Sequence, residues 1–320
     1  MTTLLFHHPV CAEHDIGYGH PECPSRLQAI FSALQQPEFA NLLWREAPEA
    51  TLEQLTRIHP ARYVERMLAA VPRQGIYPLD GDTSLCPHSG EAALRAAGAI
   101  CAAVDAIMAG EANNAFCAVR PPGHHAEPNH AMGFCVFNNV AIGAAHARAR
   151  YGLERVAIVD FDVHHGNGTQ AAFENQPKVM FLSSHQSPLY PGTGRRNERG
   201  VGNIINCPLS PHSGSAEIRD AWTTLMAPAL RTFQPDFIFI SAGFDAHRLD
   251  PLAELEFTEE DYTWLTREIA SIAQEYCKGR IVSTLEGGYN LSALAASAAA
   301  HVETLQEAPM LASGSKTQTA

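Results

Sequence analysis

The segment 156–170, V-A-I-V-D-F-D-V-H-H-G-N-G-T-Q, constrains the fold of this chain more than any other stretch. Its first four residues are apolar and mostly β-branched, which predicts a short strand buried on both faces, as in a parallel sheet. Four of the next six residues are Asp or His. Because side chains alternate along an extended backbone, three of them are expected on one side of the strand end: Asp160, Asp162 and His164.

Two carboxylates and an imidazole at the mouth of a buried strand are costly to remove from water unless a partner compensates their charge. A divalent cation suits these ligand types. The alternative is a hydrogen-bonded Asp/His network that only closes a loop, and it is the better interpretation of an isolated D-x-D or H-H pair. The density of polar residues at this strand end favours the cation.

The order strand, polar loop, helix recurs along the chain. Strands are predicted at 4–6, 115–119, 155–159, 178–183, 203–207, 236–241 and 280–284. Helices are predicted at 25–34, 60–70, 89–108, 138–150, 258–277 and 291–305, at 214–233 with a break at Pro228, and from Thr169 onward; 72–87 is predicted as a surface loop. This alternation predicts one α/β domain, residues 1–306, with a parallel sheet flanked by helices on both faces. The tail 307–320 is predicted to be disordered.

Reactive residues follow five of these strands. The loops concerned carry R-P-P-G-H-H, D-F-D-V-H-H, S-H-Q-S-P-L-Y-P-G-T-G, A-G-F-D-A-H and L-E-G-G-Y. In an open α/β sheet, ligands bind outside the carboxyl ends of the strands. We therefore expect the five loops to surround a single crevice.

Composition narrows the class of protein further. A net charge of −12 argues against nucleic-acid binding, although it is compatible with a cationic substrate. No apolar run approaches the roughly 20 residues that span a bilayer, and the N-terminus lacks the basic and apolar regions of a signal peptide. The eight cysteines form no C-x-x-C pair and are expected to be buried thiols in a reducing compartment. A cytoplasmic protein without membrane contact is predicted.

The loops contain a candidate catalytic constellation. Two carboxylates and one imidazole, from Asp162, Asp245 and His164, could supply an O, N, O ligand set. Such a set suits catalytic zinc because it leaves positions open for water and substrate. His124 and His125 are candidates for general base and acid, and Tyr289, after two glycines, for a donor to a developing oxyanion. Each has a simpler structural interpretation taken singly. Together they predict metal-assisted hydrolysis of an amide.

With these motifs, the chain resembles the zinc-dependent histone deacetylase superfamily, which has an arginase-like fold, and within it the class II-like bacterial members. The matching stretches are H-P-E-C-P-S-R-L (20–27), R-P-P-G-H-H-A (120–126), G-F-C-V-F-N-N-V-A (133–141), V-D-F-D-V-H-H-G-N-G-T (159–169), Y-P-G-T-G (190–194), S-A-G-F-D-A-H (241–247) and L-E-G-G-Y-N (285–290). They cover almost the whole chain in order.

The resemblance implies a role for each matching residue. The zinc ligands are Asp162, His164 and Asp245, with Fe²⁺ or Co²⁺ as substitutes. Tyr289 polarises the acyl carbonyl, His125 is the main general base and acid, and His124 is oriented by Asp160. Asn167, where some members of the superfamily have Asp, is the partner of His125.

The resemblance also implies a substrate tunnel and further sites. The walls that sheathe a lysine-like methylene chain are Gly133, Phe134 and Tyr190. Asp82 is the rim carboxylate that binds the substrate backbone, and Arg26 lines an inner cavity for acetate. A structural K⁺ is expected behind the zinc, at backbone oxygens of Asp160 and His164 and the side chain of Ser183.

Three alternatives remain open at this point. A binuclear manganese ureohydrolase needs a further carboxylate where this chain has His247. A non-catalytic scaffold on the same fold is disfavoured by the complete set of catalytic residues. An acetylpolyamine amidohydrolase shares the chemistry, but Leu252 lies where polyamine-selective relatives carry a glutamate. Acetyl-lysine proteins or peptides are therefore the expected substrate, acetylated polyamines the alternative, and an oligomer is compatible with either.

Overall fold

The computed structural model describes residues 2–311, with side chains described to residue 308. In this part of the chain an eight-stranded sheet has the order β2-β1-β5-β10-β9-β6-β7-β8, and β3 and β4 form a separate antiparallel pair. The strands are β1 Thr3–His7, β2 Leu43–Glu46, β3 Tyr77–Pro78, β4 Ser84–Leu85, β5 Asn114–Cys117, β6 Val156–Asp160, β7 Val179–Gln186, β8 Ile204–Leu209, β9 Phe237–Ala242 and β10 Ile281–Leu285.

The α-helices alternate with the strands along the chain. They are α1 Ser25–Leu34, α2 Leu52–Leu55, α3 Ala61–Ala69, α4 Ser89–Met108, α5 Asn139–Tyr151, α6 Asn167–Phe173, α7 Ser215–Ala221, α8 Ala227–Phe233, α9 Glu259–Cys277 and α10 Leu291–Leu311. All neighbouring strands of the large sheet run parallel. The predicted fold class is therefore confirmed.

The central strands are buried on both faces, which explains their continuous apolar sequences. Every residue of β5, β6, β7, β9 and β10 is buried. Helices α4 and α5 pack against each other and against the sheet, and α9 packs against α10, which also contacts α1. Burying the apolar faces of these helices and strands supplies the main free energy of folding. No helix within residues 2–311 has the length and apolar character needed to span a bilayer.

The seven predicted strands are present, with ends that differ by one to three residues from the predicted ones. Sequence patterns missed β2, a largely exposed edge strand, and the β3–β4 pair inside the predicted 72–87 loop. The predicted helix 214–233 is interrupted earlier than Pro228, by a wider π-helical turn at Trp222–Met226, and Pro228 lies in the first turn of α8. Proline is tolerated there because the first turn needs no N–H donor from it.

The last helix ends later than predicted. It continues from Leu291 to Leu311, five residues into the segment that was predicted to be disordered. The added residues, 306–311, read Q-E-A-P-M-L and include a proline, so helix propensity alone does not explain the extension. The rest of that segment, 312–320, lies outside the described residues.

Candidate active site

Four neighbouring strands of the sheet, β5, β10, β9 and β6, deliver loops to the same edge. The loop after β5 carries the two adjacent histidines. The loop after β6 carries Asp162 and His164, and the loop after β9 carries Asp245. The Gly-Gly-Tyr turn follows β10. The loop after β7 reaches the same place, because the ring of Tyr190 packs edge-on against that of His125 at 5.2 Å. The five loops therefore meet as predicted.

Asp162, His164 and Asp245 form a compact cluster at this edge. One ligand atom from each lies within 4.8 Å of the others. The Nδ1 atom of His164 is 3.1 Å from a carboxylate oxygen of Asp162 and 3.1 Å from one of Asp245. All three residues are buried. The side chains that the sequence predicted as metal ligands are therefore brought together.

Each of the two carboxylates accepts a backbone hydrogen bond from the loop after a different strand. Asp162 Oδ2 accepts a 2.7 Å hydrogen bond from the N–H of Gly287, and Asp245 Oδ1 accepts one of 2.9 Å from the N–H of Val163. A Cβ atom at Gly287 or Gly243 would overlap these carboxylates, so both positions need glycine. Backbone groups thus hold the acidic side chains in place.

The electrostatics of the cluster suit a cation. Burial alone would lower the pKa of His164, but hydrogen bonds to Asp162 and Asp245 outweigh it and raise the pKa to about 10. The site therefore favours positive charge between the two carboxylates. Two carboxylate oxygens and one imidazole nitrogen are a fitting donor set for a divalent metal such as zinc, with coordination positions left over.

His124 lies beside this cluster and is paired with a carboxylate. Its Nδ1 is 3.0 Å from Asp160 Oδ2, and its Nε2 is 3.8 Å from Asp162 Oδ2. Burial opposes protonation, but Asp162 and Asp160 raise the pKa of His124 well above its ordinary value. The predicted contact between His124 and Asp160 is present.

His125 has a neutral partner instead. Its Nδ1 is 2.8 Å from the amide oxygen of Asn167, as predicted. Burial and the neighbouring imidazoles of His124 and His164 lower the pKa of His125 well below its ordinary value. The two adjacent histidines therefore differ in protonation, His124 favouring the charged form and His125 the neutral one.

Glu286, a residue that sequence reasoning missed, anchors the histidine loop. Its carboxylate is fully buried and accepts hydrogen bonds from the N–H groups of Gly123 at 2.7 Å and His124 at 3.1 Å. The Ser241 hydroxyl donates to it at 3.2 Å. Burial raises the pKa of Glu286 to about 7. The sequence contained a signal for Glu286: like Asp160, it is an acidic residue at the end of an apolar run that predicts a buried strand.

Tyr289 follows the glycine turn and is fixed through its backbone. Its N–H donates a 2.8 Å hydrogen bond to Asp250 Oδ2, and the other oxygen of Asp250 accepts from the N–H of Leu252 at 3.0 Å. Burial and the charge of Asp245 raise the pKa of the Tyr289 phenol well above its ordinary value. The hydroxyl therefore stays protonated and able to donate. Asp250 is a second residue that the sequence reasoning did not assign to the site.

Arg26 lies beneath the same turn. Its guanidinium donates to the carbonyl oxygens of Gly288 at 2.7 Å and Glu286 at 2.5 Å, and to Glu22 Oε1 at 3.1 Å. It also lies 5.0 Å from the centre of the Tyr289 ring. Arg26 thus supports the turn from the interior.

Gly133 and Phe134 form one wall beside the histidines. A Cβ atom at Gly133 would overlap the ring of His125, so glycine lets the wall lie directly against the imidazole. The N–H of Gly133 donates to Asp82 Oδ1 at 3.1 Å, and that of Phe134 to Thr83 Oγ1 at 3.1 Å. One oxygen of Asp82 is therefore engaged by the wall itself.

Tyr190 and Leu252 lie nearer the solvent, with 39% and 37% of their surfaces exposed. The loop that carries Tyr190 is fastened by His165, whose Nδ1 is 2.8 Å from Thr193 Oγ1. His165 thus holds the loop rather than joining the ligand cluster.

Ser183 lies next to Asp160 in the register of β6 and β7. Its hydroxyl is 2.9 Å from His185 Nδ1. The Asp160 carboxylate accepts a 3.1 Å hydrogen bond from the N–H of Asp162. These residues form a fully buried polar layer behind the ligand cluster.

The fold is a parallel α/β sheet, and the Asp/His/Asp cluster at its carboxyl edge could hold a divalent metal ion. This combination is typical of α/β metallohydrolases. Within that class, the chain belongs to the histone deacetylase family, since the family's histone deacetylase domain matches residues 20–305. This membership confirms the predicted family and indicates a deacetylase-type amidohydrolase.

Similar proteins come from plants and bacteria. Histone deacetylase 14, chloroplastic, of Arabidopsis thaliana is 42% identical over 92% of this chain and 74% of its own length. The histone deacetylase-like amidohydrolase of Pseudomonas aeruginosa is 41% identical over 85% of this chain and 73% of its own length. The crystal structure of the HDA15 HD domain has a TM-score of 0.90 and 36% identity, covering 95% of this chain and 88% of that one.

Proposed function

We propose that this protein is a zinc-dependent amidohydrolase that removes acetyl or related acyl groups from lysine side chains of proteins or peptides. The observation that carries the proposal is the buried Asp162–His164–Asp245 cluster, with the imidazoles of His124 and His125 on one side and the Gly-Gly-Tyr turn on the other. Fe²⁺ suits the same ligands, because two carboxylates make the site harder than a thiolate site.

When bound by these three residues, zinc would act as a Lewis acid and lower the pKa of a water molecule at the site. His125 would take the proton of the attacking water and then transfer it to the departing lysine amine. The hydrogen bond to Asn167 supports this role, because it fixes the ring and leaves Nε2 available. His124, with Asp160 behind it, would stabilise negative charge electrostatically.

Tyr289 would donate a hydrogen bond from its hydroxyl to the acyl oxygen as negative charge develops there. Two features support this role: the phenol stays protonated, and its turn is held by Asp250 and Arg26. Arg26 would also line the space that receives acetate. A structural K⁺ would bind behind the cluster at backbone oxygens of Asp160 and His164 and at Ser183, where the buried polar layer lies.

Gly133, Phe134 and Tyr190 would sheathe the methylene chain of the substrate. Their positions beside His125 and the edge-on contact of the Phe134 ring with that of Tyr289, at 6.0 Å, support this assignment. Asp82 would bind the substrate backbone through the oxygen that Gly133 leaves free. Leu252 offers apolar contact at the rim, which favours an acyl-lysine over the charged chain of an acetylpolyamine.

The test is a side-by-side measurement of kcat/KM on acetyl-lysine peptides and on acetylspermidine, with zinc-loaded and with chelator-treated protein. We expect faster turnover of the peptides and no turnover after chelation. Efficient hydrolysis of acetylspermidine with negligible action on peptides would replace the proposal by an acetylpolyamine amidohydrolase. No amide hydrolysis by the zinc-loaded protein would overturn both.

A further inference from the structure

The partner of His125 is itself held by a carboxylate. Asn167 Nδ2 donates a 2.9 Å hydrogen bond to Glu127 Oε1, while Asn167 Oδ1 is 2.8 Å from His125 Nδ1. The three side chains form a chain from imidazole to amide to carboxylate. His125 and Asn167 are 4% and 6% exposed, whereas Glu127 is half-buried at the outer end.

The carboxylate decides which way the amide of Asn167 points. An ionised carboxylate only accepts hydrogen bonds, so the NH₂ group has to face Glu127 and the oxygen has to face His125. The other neighbours of Nδ2, Met132 Sδ at 3.3 Å and the carbonyl oxygen of His125 at 3.5 Å, are weak or distant acceptors. Without Glu127 the amide would lose its strongest orienting contact.

The amide in turn decides which nitrogen of His125 carries the proton. Because Asn167 Oδ1 is an acceptor, Nδ1 of His125 has to be the donor, and Nε2 keeps its lone pair. A flipped amide would favour the opposite tautomer, with the lone pair on Nδ1. The loop position of Glu127 is fixed independently of its side chain by backbone pairing with His130, at 2.9 and 3.4 Å.

We propose that Glu127 is a positioning residue for the reaction, which fixes the Asn167 amide and thereby the His125 tautomer that accepts a proton through Nε2. Its acceptor oxygen orients the amide, and its charge strengthens that hydrogen bond. The inference rests on the role proposed for His125 in acyl-lysine hydrolysis.

The first experiment compares Glu127→Ala and Glu127→Gln in the zinc-loaded enzyme. We expect Glu127→Ala to lower kcat by roughly 10- to 100-fold, as residues behind a functional side chain typically do, with KM nearly unchanged. Glu127→Gln keeps an acceptor oxygen for the Asn167 amide and should retain most of the activity that Glu127→Ala loses. Glu174→Ala, half-buried at the other end of α6, is the matched control and should behave as wild type.

The second experiment repeats Glu127→Gln in the Asn167→Asp background, where the sign should reverse. The carboxylate introduced by Asn167→Asp would accept directly from His125, and Glu127 would then be a like charge facing it. Removing the charge of Glu127 should therefore raise kcat in this background, whereas in the wild-type background the same change lowers it. Equal effects in both backgrounds would mean that Glu127 and Asn167 act independently, which would overturn the proposal.

The third readout does not depend on activity. The hydrogen-bonded Nδ1 proton of His125 should give a downfield imidazole resonance, which should be lost to solvent exchange in Glu127→Ala and preserved in Glu127→Gln. The other ionisable groups facing His125 are His124, His164, Asp162 and the Tyr190 phenol, and no variant alters them.

The outcomes separate the two proposals. Activity of Glu127→Ala within about twofold of wild type, or an unchanged resonance in that variant, would overturn the role of Glu127 while leaving the amidohydrolase intact. Inactive wild-type enzyme would overturn the proposed function, and the resonance would still report on Glu127. Should Glu127→Ala fail to fold, the test is whether Glu127→Gln lowers kcat in the wild-type background and raises it in the Asn167→Asp background. Any other result would overturn the proposal.

Discussion

The ligands Asp162, His164 and Asp245 form the floor of the site and are buried. Each of the two carboxylates accepts a hydrogen bond from a backbone N–H in the loop after another strand. At the rim, Tyr190 and Leu252 are more than a third exposed. Backbone hydrogen bonds therefore fix the floor, whereas the side chains of the rim face solvent. We accordingly expect substitutions at the floor to act on the chemical step and substitutions at the rim to act on the choice of substrate.

The largest effect should come from removing the metal. We expect chelation to abolish amide hydrolysis and added Zn²⁺ to restore it. The reason is that the cluster would act by holding the metal that lowers the pKa of the attacking water. Asp162→Ala should match chelation, while Asp220→Ala, on an exposed face of α7, should keep both zinc and activity. Full activity of the metal-free protein would show that the three ligands do not take part in the reaction through a metal.

Next in size is the contrast between the two histidines. His125→Ala should lower kcat by roughly 10² to 10⁴, the usual contribution of a general acid or base. His124→Ala should lose less, because its pairing with Asp160 suits electrostatic support rather than proton transfer. His88→Ala, exposed on the surface, serves as the control. A larger loss in His124→Ala than in His125→Ala would exchange the two roles.

Tyr289→Phe should fold normally and lower kcat by about 10² to 10³, the typical effect of removing one oxyanion donor. The KM should change far less, because the ring and its contacts with Phe134 and Arg26 remain. Tyr77→Phe, at an exposed site, is the control for loss of a hydroxyl. A loss confined to KM would make Tyr289 a residue of substrate binding.

Asn167→Asp should move the acid limb of the pH–rate profile upward by about 1 to 3 pH units. Burial and neighbouring imidazoles hold the pKa of His125 low, and a carboxylate beside Nδ1 would raise it. Since protonated His125 cannot accept a proton, activity would then be lost at a higher pH as the pH falls. An unmoved acid limb would show that position 167 does not influence the proton acceptor.

We expect the smallest effect on activity from a substitution at the rim, which is formed by Tyr190 and Leu252. Leu252→Glu should shift the ratio of kcat/KM toward acetylspermidine by about 1 kcal/mol, near the lower end for one charge pair because the site is exposed and screened. Leu249→Glu, on the same loop and 55% exposed, is the matched control. A change of kcat on both substrates alike would show that Leu252 belongs to the floor rather than the rim.

The sequence predicted the sheet and the ligand cluster because their residues lie in contiguous motifs after buried strands, whereas the partners of the two histidines came from the resemblance to the family. It missed side chains whose roles depend on partners far along the chain. Glu286 binds the histidine loop across 163 residues, Asp250 binds Tyr289 across 39, and Glu127 binds Asn167 across 40. A local pattern can single out a residue such as Glu286, directly after a buried strand, but it does not show the partner, since each pair is created only when loops from different strands meet. The edge strand β2 was missed because it lacks a buried apolar run.

The backbone hydrogen bonds to the two acidic ligands also have a consequence for the order of folding and metal binding. Asp245 is held by the loop after β6, and Asp162 by the turn after β10, so the cavity for the ion is shaped by the completed sheet. In small zinc domains the ion itself drives folding. Here backbone N–H groups hold the carboxylates, so we expect the chain to reach its native form first and to bind a divalent ion afterwards. The metal found in the isolated protein would then reflect which divalent ion the cell supplies as much as the ligands.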